Sequence, residues 1–196
     1  MSRAPQQRRI ATHARLLGSA REIVAASSYA EMRVEEVVLR AGVAKGTFFA
    51  HFKDKDALLV VLIGEELERV MTDLVEAPPP EEIESLVTAL APLVSAMGSE
   101  RTVFDFVVRN SGAMAIEEIG PIAQNFGDQI ALFVRWITPL QGTAFRSDVD
   151  PALLGEGIQA FLVQCIAMNF CLVESQVALE ERLLSYLTPW LSAPQA

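Results

Sequence analysis

The stretch VEEVVLRAGVAKGTFFAHF, from Val34 to Phe52, predicts two short helices joined by a tight turn. Apolar residues in its first half recur at i, i+3, i+4 and i+7, which places one apolar stripe on the first helix. Gly42 can adopt a left-handed backbone conformation that other residues adopt only at a cost, so the chain can turn sharply there. Two helices that cross around such a turn form a helix-turn-helix.

The second of these helices is the candidate recognition helix. It is expected to begin at Ala44 or Lys45 and to end near Ala50. It would present an outward face that a DNA major groove can receive. That face is predicted to carry Lys45, Thr47, Phe48 and His51.

The segment AGVAKGTFFAHFKDKDALL, from Ala41 to Leu59, resembles the signature of TetR-family transcriptional regulators. About ten positions match in register, and the resemblance extends back over a helix from about Ile10 to Ala26 and over Tyr29. Beyond about Leu74 it is one of layout. The resemblance implies an all-α protein with an N-terminal three-helix helix-turn-helix DNA-binding domain (residues 8–56). A C-terminal helical bundle for ligand binding and dimerisation (residues 57–196) would follow.

Charge is distributed unevenly along the chain, whose net charge is −9. Residues 1–55 contain ten Lys/Arg and five Asp/Glu, which gives this part +5 and the remainder −14. A basic head on an acidic body indicates that only the head approaches a polyanion. The alternative is that a small domain carries this charge by chance.

The resemblance assigns DNA contacts to particular residues of the motif. Lys45 and Thr47 open the recognition helix, where a cation and backbone amides favour phosphate. Phe49 lies where the family commonly has Tyr, so its contact would be apolar or steric. One of the two adjacent phenylalanines is expected to pack inward, and His51 either reaches the DNA backbone or caps the helix. The predicted DNA-binding residues are Arg33, Lys45, Thr47, Phe48, Phe49, His51 and Lys55.

Three features depart from the family pattern or leave a choice open. Met32 and Arg33 stand where the family has Ser or Thr, so the second helix lacks its usual hydroxyl cap. Arg33 can still bind phosphate through its permanently charged fork of donors. The pair Arg8-Arg9 is compatible with a minor-groove arm or with disorder.

The rest of the chain is predicted to be helical, because apolar residues keep helical spacing and no stretch alternates as a strand would. Prolines at 78–80 end the fourth helix. Later boundaries are indicated by Gly98-Ser99, by Pro121 and Pro139, and by Asp150-Pro151, which predicts a long helix to about Glu174. A final helix is expected from about Gln176 to Leu191.

Large apolar side chains with a few polar neighbours between residues 97 and 136 predict a small-molecule pocket. The resemblance implies such a pocket in the C-terminal helices, and plain core packing is the alternative. The predicted ligand-binding residues are Met97, Phe104, Arg109, Asn110, Met114, Phe126, Gln129, Phe133 and Trp136.

Apolar residues crowd nearly every face of the penultimate helix, more than a single chain is expected to bury. Together with the last helix they predict a two-fold helical interface, which the resemblance also implies. The predicted interface residues are Phe161, Cys165, Met168, Asn169, Leu172, Leu183, Leu187 and Trp190.

Catalysis is not expected, because no metal-spaced Cys/His cluster, phosphate loop or nucleophile elbow is present in the sequence. No cofactor or metal is predicted. The first residues lead into no apolar signal segment, and Ile158–Val173 is short for a membrane span. Cys165 and Cys171 therefore indicate reduced thiols in a cytoplasmic protein.

These observations favour a homodimeric DNA-binding transcriptional regulator, namely a repressor that a small apolar ligand releases from a palindromic operator. The alternatives are an activator, a ligand-independent regulator, or a helical ligand-binding protein that has lost DNA affinity. The loss of the helix-two cap and of the Tyr hydroxyl favours the last of these.

Overall fold

A computed structural model describes residues 3–112, 119–171 and 177–193. Within these ranges the chain is helical with turns and loops and contains no β-strand, which confirms the predicted all-α class. The helices are α1 (Arg3–Ala26), α2 (Val34–Arg40), α3 (Lys45–Phe49), α4 (Lys55–Glu76), α5 (Ile83–Met97), α6 (Arg101–Arg109), α7 (Pro121–Ile137), α8 (Pro151–Cys171) and α9 (Leu179–Leu191).

The chain divides into two compact units, Met1–Ile63 and Gly64–Ala196, called here the N-terminal and C-terminal units. The division falls inside α4, whereas the sequence prediction placed it between residues 56 and 57. A charged turn at the start of α4 marks a helix boundary in the sequence, but apolar residues such as Leu59 continue into the core of the N-terminal unit. A helix boundary is therefore not the unit boundary here.

The N-terminal unit contains the predicted helix-turn-helix, in which α2 packs against both α1 and α3. Gly42 has a φ of 62°, the left-handed conformation expected at the turn. The N–H of Val43 donates to the carbonyl oxygen of Val38 at 3.0 Å, which closes the turn behind α2. The turn and both helices of the motif are thus confirmed.

The ends of the N-terminal helices follow local chemistry. The Asp54 carboxylate accepts a hydrogen bond from the N–H of Ala57 at 2.8 Å and caps α4. Arg33 occupies the N-cap position of α2 without a side-chain cap, as the missing hydroxyl predicted. Arg8 and Arg9 lie within α1. The structure therefore contains neither an extended arm nor a disordered segment at these two residues.

In the C-terminal unit α8 packs against α5, α6, α7 and α9. Glycines let its backbone approach two neighbours closely: a Cβ on Gly155 would lie 3.1 Å from Val134 Cγ2, and one on Gly157 would lie 2.3 Å from the Trp190 ring. By length and mean hydropathy (1.4) α8 could also cross a membrane, as the core helices of other proteins could. Its buried Leu154, Ile158 and Leu162 identify it as a core helix of this unit.

The loop between α7 and α8 is tied to the end of α9, which the sequence did not predict. A 3-10 turn at Thr138–Leu140 begins this loop. The backbone N–H of Arg146 donates to the carbonyl oxygen of Leu191 at 2.7 Å. The Arg146 guanidinium donates to the carboxylate of Asp148 at 2.7 and 2.8 Å, and this pairing raises its pKa.

Candidate functional site

Four of the predicted DNA-binding residues, Arg33, Lys45, Phe49 and Lys55, line one groove on the N-terminal unit. The groove has a volume of about 550 Å³. Its walls come from the segment before α2, from α3 and from the start of α4. The helix-turn-helix therefore gathers three cations and an exposed aromatic ring, although these residues are spread over 23 positions of sequence.

Lys45 is already paired within this groove. Its Nζ donates to Glu35 Oε1 at 2.6 Å, and both side chains are more than half exposed. The hydrogen bond from Lys45 holds the pKa of the Glu35 carboxyl below its usual value. Because an exposed ion pair of this kind is worth about 0–1 kcal/mol, a DNA phosphate can compete for the ammonium.

The ammonium group of Lys55 makes one hydrogen bond within the protein and keeps other donors available. Its Nζ donates to the backbone carbonyl of Ala30 at 3.0 Å and so ties the segment before α2 to the start of α4. An ammonium carries three donors, and a carbonyl takes one of them. The remaining donors can face a phosphate in the groove.

Phe48 does not belong to the DNA-binding set. Its side chain is 0% exposed, whereas Phe49 is 50% exposed. Phe48 packs against Phe52, with ring centroids 5.5 Å apart, and edge-on to Phe49 at 5.3 Å. The inward phenylalanine of the pair is therefore the first one, on a helix of only five residues. Thr47 is partly buried beside it.

His51 lies just after α3 and remains partly exposed. Its ring centroid is 5.6 Å from that of His13, which in turn stacks on Phe52 at 4.8 Å. Desolvation, and then the nearby charges of His13 and Arg9, lower the pKa of His51. The unbound protein thus favours a neutral imidazole at a position predicted to meet phosphate.

The predicted ligand-binding residues do not all lie in one place. Met97, Gln129, Phe133 and Trp136 are buried in the core, with exposures of 0–2%. Arg109 lies at the exposed end of α6, with its guanidinium carbon 5.3 Å from the centroid of the Phe106 ring. Phe104 is buried, Asn110 and Phe126 are partly buried, and Met114 lies outside the described residues. The range from residue 97 to 136 mixes core and surface positions because it covers three different helices.

Two cavities of the C-terminal unit border α7. The first, about 490 Å³, lies between α4 and α7 and is lined by residues that include Met71, Val75 and Arg135. The second, about 420 Å³, involves Trp136 and prolines of the segment after α4. Of the predicted ligand residues that the structure describes, Trp136 borders the second cavity and none borders the first.

Sequence reasoning missed a group of three amides between α7 and α8, of which Asn125 and Gln129 are buried and Gln159 is partly buried. Gln129 Nε2 donates to Asn125 Oδ1 at 2.8 Å. Gln159 Nε2 donates to Gln129 Oε1 at 3.2 Å and to the backbone carbonyl of Phe126 at 2.8 Å. We call these three side chains the amide relay. Two amides four residues apart on the apolar face of α7 were the available sequence signal.

The predicted dimer interface also needs correction. Cys165, Leu183 and Leu187 are 0–1% exposed in a single chain, so they belong to its own core. Phe161, Met168 and Trp190 are partly exposed and Asn169 is exposed, whereas Leu172 lies outside the described residues. The single chain buries the inner faces of α8 and α9 against α5 and α7, which the periodicity of an almost wholly apolar helix does not reveal.

The N-terminal helices match a known family. Residues 16–62 fit the model described as "Bacterial regulatory proteins, tetR family". The curated relative "Fatty acid metabolism regulator protein" of Bacillus subtilis (strain 168) is 32% identical over 76 residues. That match covers 37% of this chain and 39% of the relative, so the chain aligns with about two fifths of the relative's length.

The TetR-type fold extends over nearly the whole chain. Thermus thermophilus FadR, a TetR-family repressor solved with lauroyl-CoA, has a TM-score of 0.63 and 17% identity, covering 94% of this chain and 97% of its own. RolR solved with resorcinol has a TM-score of 0.64 and 19% identity, covering 94% and 89%. At these identities the likeness shows the fold alone.

Proposed function

We propose that this protein is a transcriptional repressor that binds a palindromic DNA operator as a homodimer and is released from it by a small apolar molecule. The observation that supports DNA binding most directly is the groove of the helix-turn-helix, which gathers Arg33, Lys45 and Lys55 around the exposed ring of Phe49. The sequence around it carries +5, against −14 for the rest of the chain. Such a protein acts in the cytoplasm, where it reaches DNA.

DNA contact would divide between phosphate and base. Arg33, Lys45 and Lys55 supply cations for phosphates, which fix the position of the protein on the duplex. Thr47 and Phe49 lie on or beside α3 and would meet base edges or the thymine methyl in the major groove. On docking, Lys45 would exchange Glu35 for a phosphate, because the carboxylate and the phosphate repel each other when both lie at one ammonium.

Dimerisation would use the outer faces of α8 and α9. Phe161 lies 5.4 Å from Tyr186 and 5.9 Å from Trp190, measured between ring centroids, and all three rings are partly exposed. An apolar aromatic cluster of this kind suits a self-complementary contact between two copies. The two recognition helices would then read half-sites separated by one helical turn, roughly 34–36 Å.

Release by a ligand requires that the ligand bind the C-terminal unit better in a state that does not fit the operator. Relatives with this fold were solved with lauroyl-CoA and with resorcinol. Both cavities of the C-terminal unit border α7, and the first also borders α4, the helix whose N-terminal residue is Lys55. A ligand that moves α4 would therefore move a DNA-contacting cation.

The deciding experiment measures the affinity for duplex DNA of wild-type protein and of Lys45→Ala and Lys55→Ala, by fluorescence anisotropy over a range of salt concentrations. We expect both variants to bind operator and non-operator duplexes more weakly by similar factors. The slope of log K against log salt should fall in magnitude by about 0.9 for each phosphate that the variant no longer neutralises. Lys53→Ala is the matched control, because Lys53 is exposed but is not among the groove-lining residues.

Two results would reject the proposal. Equal reductions in affinity for the Lys53 control would mean that general charge, and not the groove, drives binding. No retardation of any duplex from the source genome at low salt would favour a ligand-binding protein without DNA affinity, a possibility that Phe49 and the Lys45–Glu35 pair support. A reporter gene under the recovered operator then separates repression from activation.

A further inference from the structure

The amide relay of the C-terminal unit has a fixed polarity. The backbone carbonyl of Phe126 can only accept a hydrogen bond, so the Nε2 nitrogen of Gln159 must face it at 2.8 Å. The same nitrogen donates to Gln129 Oε1, which leaves Gln129 Nε2 to donate to Asn125 Oδ1. Inverting any one amide would place two donors or two acceptors face to face.

The relay therefore ends in a donor for which the described residues supply no acceptor. Asn125 is 1% exposed, and no acceptor for its Nδ2 is found among the described residues. Because the Phe126 carbonyl sets the direction of all three amides, inverting the Asn125 amide in place does not remove this donor. A buried donor without a partner destabilises a protein by the desolvation cost of that group, which a bound acceptor would recover.

The relay borders an apolar and adaptable side chain at Gln129. Gln129 Nε2 lies 4.0 Å from the sulfur of Met97, a fully buried side chain of α5. Methionine has three rotatable side-chain bonds and fills irregular gaps, so its movement can open space beside the relay. Ile122 and Phe133, on the same face of α7, are also fully buried.

We propose that the amide relay is the polar recognition point of the ligand site, and that it takes an apolar molecule bearing an uncharged carbonyl oxygen. The carbonyl accepts from Asn125 Nδ2, while the hydrocarbon part displaces Met97. An uncharged acceptor is specified because the relay consists of neutral amides and a backbone carbonyl, and burying an anion among neutral groups costs more. This inference rests on the proposed ligand-controlled function and names the ligand class.

The test uses full-length protein and two matched sets of probes. One set is acetophenone, ethylbenzene and benzoate, and the other is methyl octanoate, nonane and octanoate. Binding is followed by thermal shift and by fluorescence of the two tryptophans, of which Trp136 lies on α7. We expect the carbonyl compound to bind about tenfold more tightly than the hydrocarbon and the carboxylate of the same set.

The informative variant is the double replacement Asn125→Leu/Gln129→Leu. It removes the Asn125 amide, which carries the unused donor, together with the Gln129 amide that donates to it. Replacing both members by apolar groups is close to neutral for stability, so the melting temperature should not fall. The preference for the carbonyl compound should drop to less than about twofold. Ile158→Val, a conservative core change beside Gln159, is the control and should keep the preference.

A second reading uses wild-type protein and needs no variant. The chain contains three asparagines, Asn110, Asn125 and Asn169, so selective ¹⁵N-asparagine labelling gives three side-chain amide signals. The Asn125 signal should shift with acetophenone or methyl octanoate and not with the hydrocarbons. An unshifted signal, or an unchanged preference in the double variant, would overturn the assignment, as would a crystal structure with the carbonyl probe in which only water contacts Asn125 Nδ2.

Measurements of DNA binding distinguish a failure of this ligand assignment from a failure of the proposed function. If wild-type protein binds DNA through Lys45 and Lys55 but shows no carbonyl preference, only the ligand assignment fails. If the carbonyl preference depends on the relay but no duplex is bound, the proposed repressor function fails and the ligand site stands.

Discussion

Glu35 on α2 forms an ion pair of 2.6 Å with Lys45 on α3 in the groove of the helix-turn-helix. The side chain best placed to meet a phosphate is thus neutralised by an acid ten residues earlier in the chain. Both groups are exposed, so the pair is weak and exchangeable. In the proposed DNA complex, Glu35 would compete with a DNA phosphate for the same ammonium group.

Replacing Glu35 by Gln should increase DNA affinity. The change frees Lys45 and removes a negative charge that faces the phosphates, for an expected gain of about twofold to fivefold on operator and non-operator duplexes alike. Anisotropy titrations at several salt concentrations measure this gain, which should shrink as salt rises. Glu22→Gln is the matched control, since it removes the same charge from the N-terminal unit but breaks a longer pair, 3.6 Å, with Arg40. An equal gain in both variants would contradict a specific role of the Lys45–Glu35 pair.

His51 should make DNA affinity depend on pH. In the free protein its pKa is below the ordinary 6.5, because of desolvation and the charges of His13 and Arg9. A nearby phosphate stabilises imidazolium, so binding would take up a proton and affinity should rise as pH falls below about 6.5. His51→Gln should flatten this dependence, whereas a wild-type affinity that is constant from about pH 8 to about pH 5.5 would contradict phosphate contact by His51.

The same histidine has the opposite effect on stability. A His whose pKa is lower in the folded than in the unfolded state binds fewer protons when folded. Its contribution to the free energy of unfolding is therefore retained above pH 6.5, the unfolded value, and is lost as pH falls through the folded pKa. Denaturant titrations of wild type and His51→Gln at several pH values measure this decrease, and the variant should show less of it.

Local rules were enough to predict the N-terminal motif. Gly42 and the apolar spacing of α2 act within a few residues, and the structure contains both. The orientation of Phe48 was not predictable in the same way, because a five-residue helix is too short for a periodic pattern to mark its inner face. Contacts outside the helix, such as the one with Phe52, decide which phenylalanine is buried.

Long-range packing decides the C-terminal residues, and the sequence does not specify it. Leu183, Leu187 and Phe161 all lie on apolar faces of α8 or α9, but the first two are buried by other helices of the same chain. The amide relay joins residues 34 positions apart. Periodicity gives the apolar faces of a helix and does not say which neighbour covers each face.

Cys165 should be unreactive in the native protein. Its side chain is 0% exposed, and burial raises the pKa of its thiol to about 11. At about pH 8, roughly a thousandth of the Cys165 side chains carry a thiolate, and the thiolate is the reactive species. A disulfide reagent should label one thiol per chain rapidly, that of the exposed Cys171, and the second only in denaturant. Rapid labelling of native Cys171→Ser protein would contradict this.

Gly157→Ala should destabilise the C-terminal unit. The new Cβ would lie 2.3 Å from Trp190 Nε1 and Cε2, so the indole must leave its place on α8 and give up its hydrogen bond to the carbonyl of Leu154. Overpacking of this kind costs about 1–3 kcal/mol, or roughly 2–4 °C of melting temperature per kcal/mol in a chain of this size. Gly127→Ala is the control, because nothing lies within 4 Å of its added Cβ. An unchanged melting temperature for Gly157→Ala would show that Trp190 does not pack there.

Two charged substitutions should separate the dimer surface from the core of one chain. Phe161 is partly exposed beside Tyr186 and Trp190, so Phe161→Glu can keep its charge in water within a monomer but would bury it between two copies. We expect a helical, cooperatively unfolding protein that sediments as a monomer. Leu187 is 0% exposed, so Leu187→Glu should instead lower the free energy of unfolding by more than about 3 kcal/mol, with loss of cooperative melting. Sedimentation and circular dichroism together distinguish the two outcomes, and a Phe161→Glu protein that remains a dimer would move the interface away from this aromatic cluster.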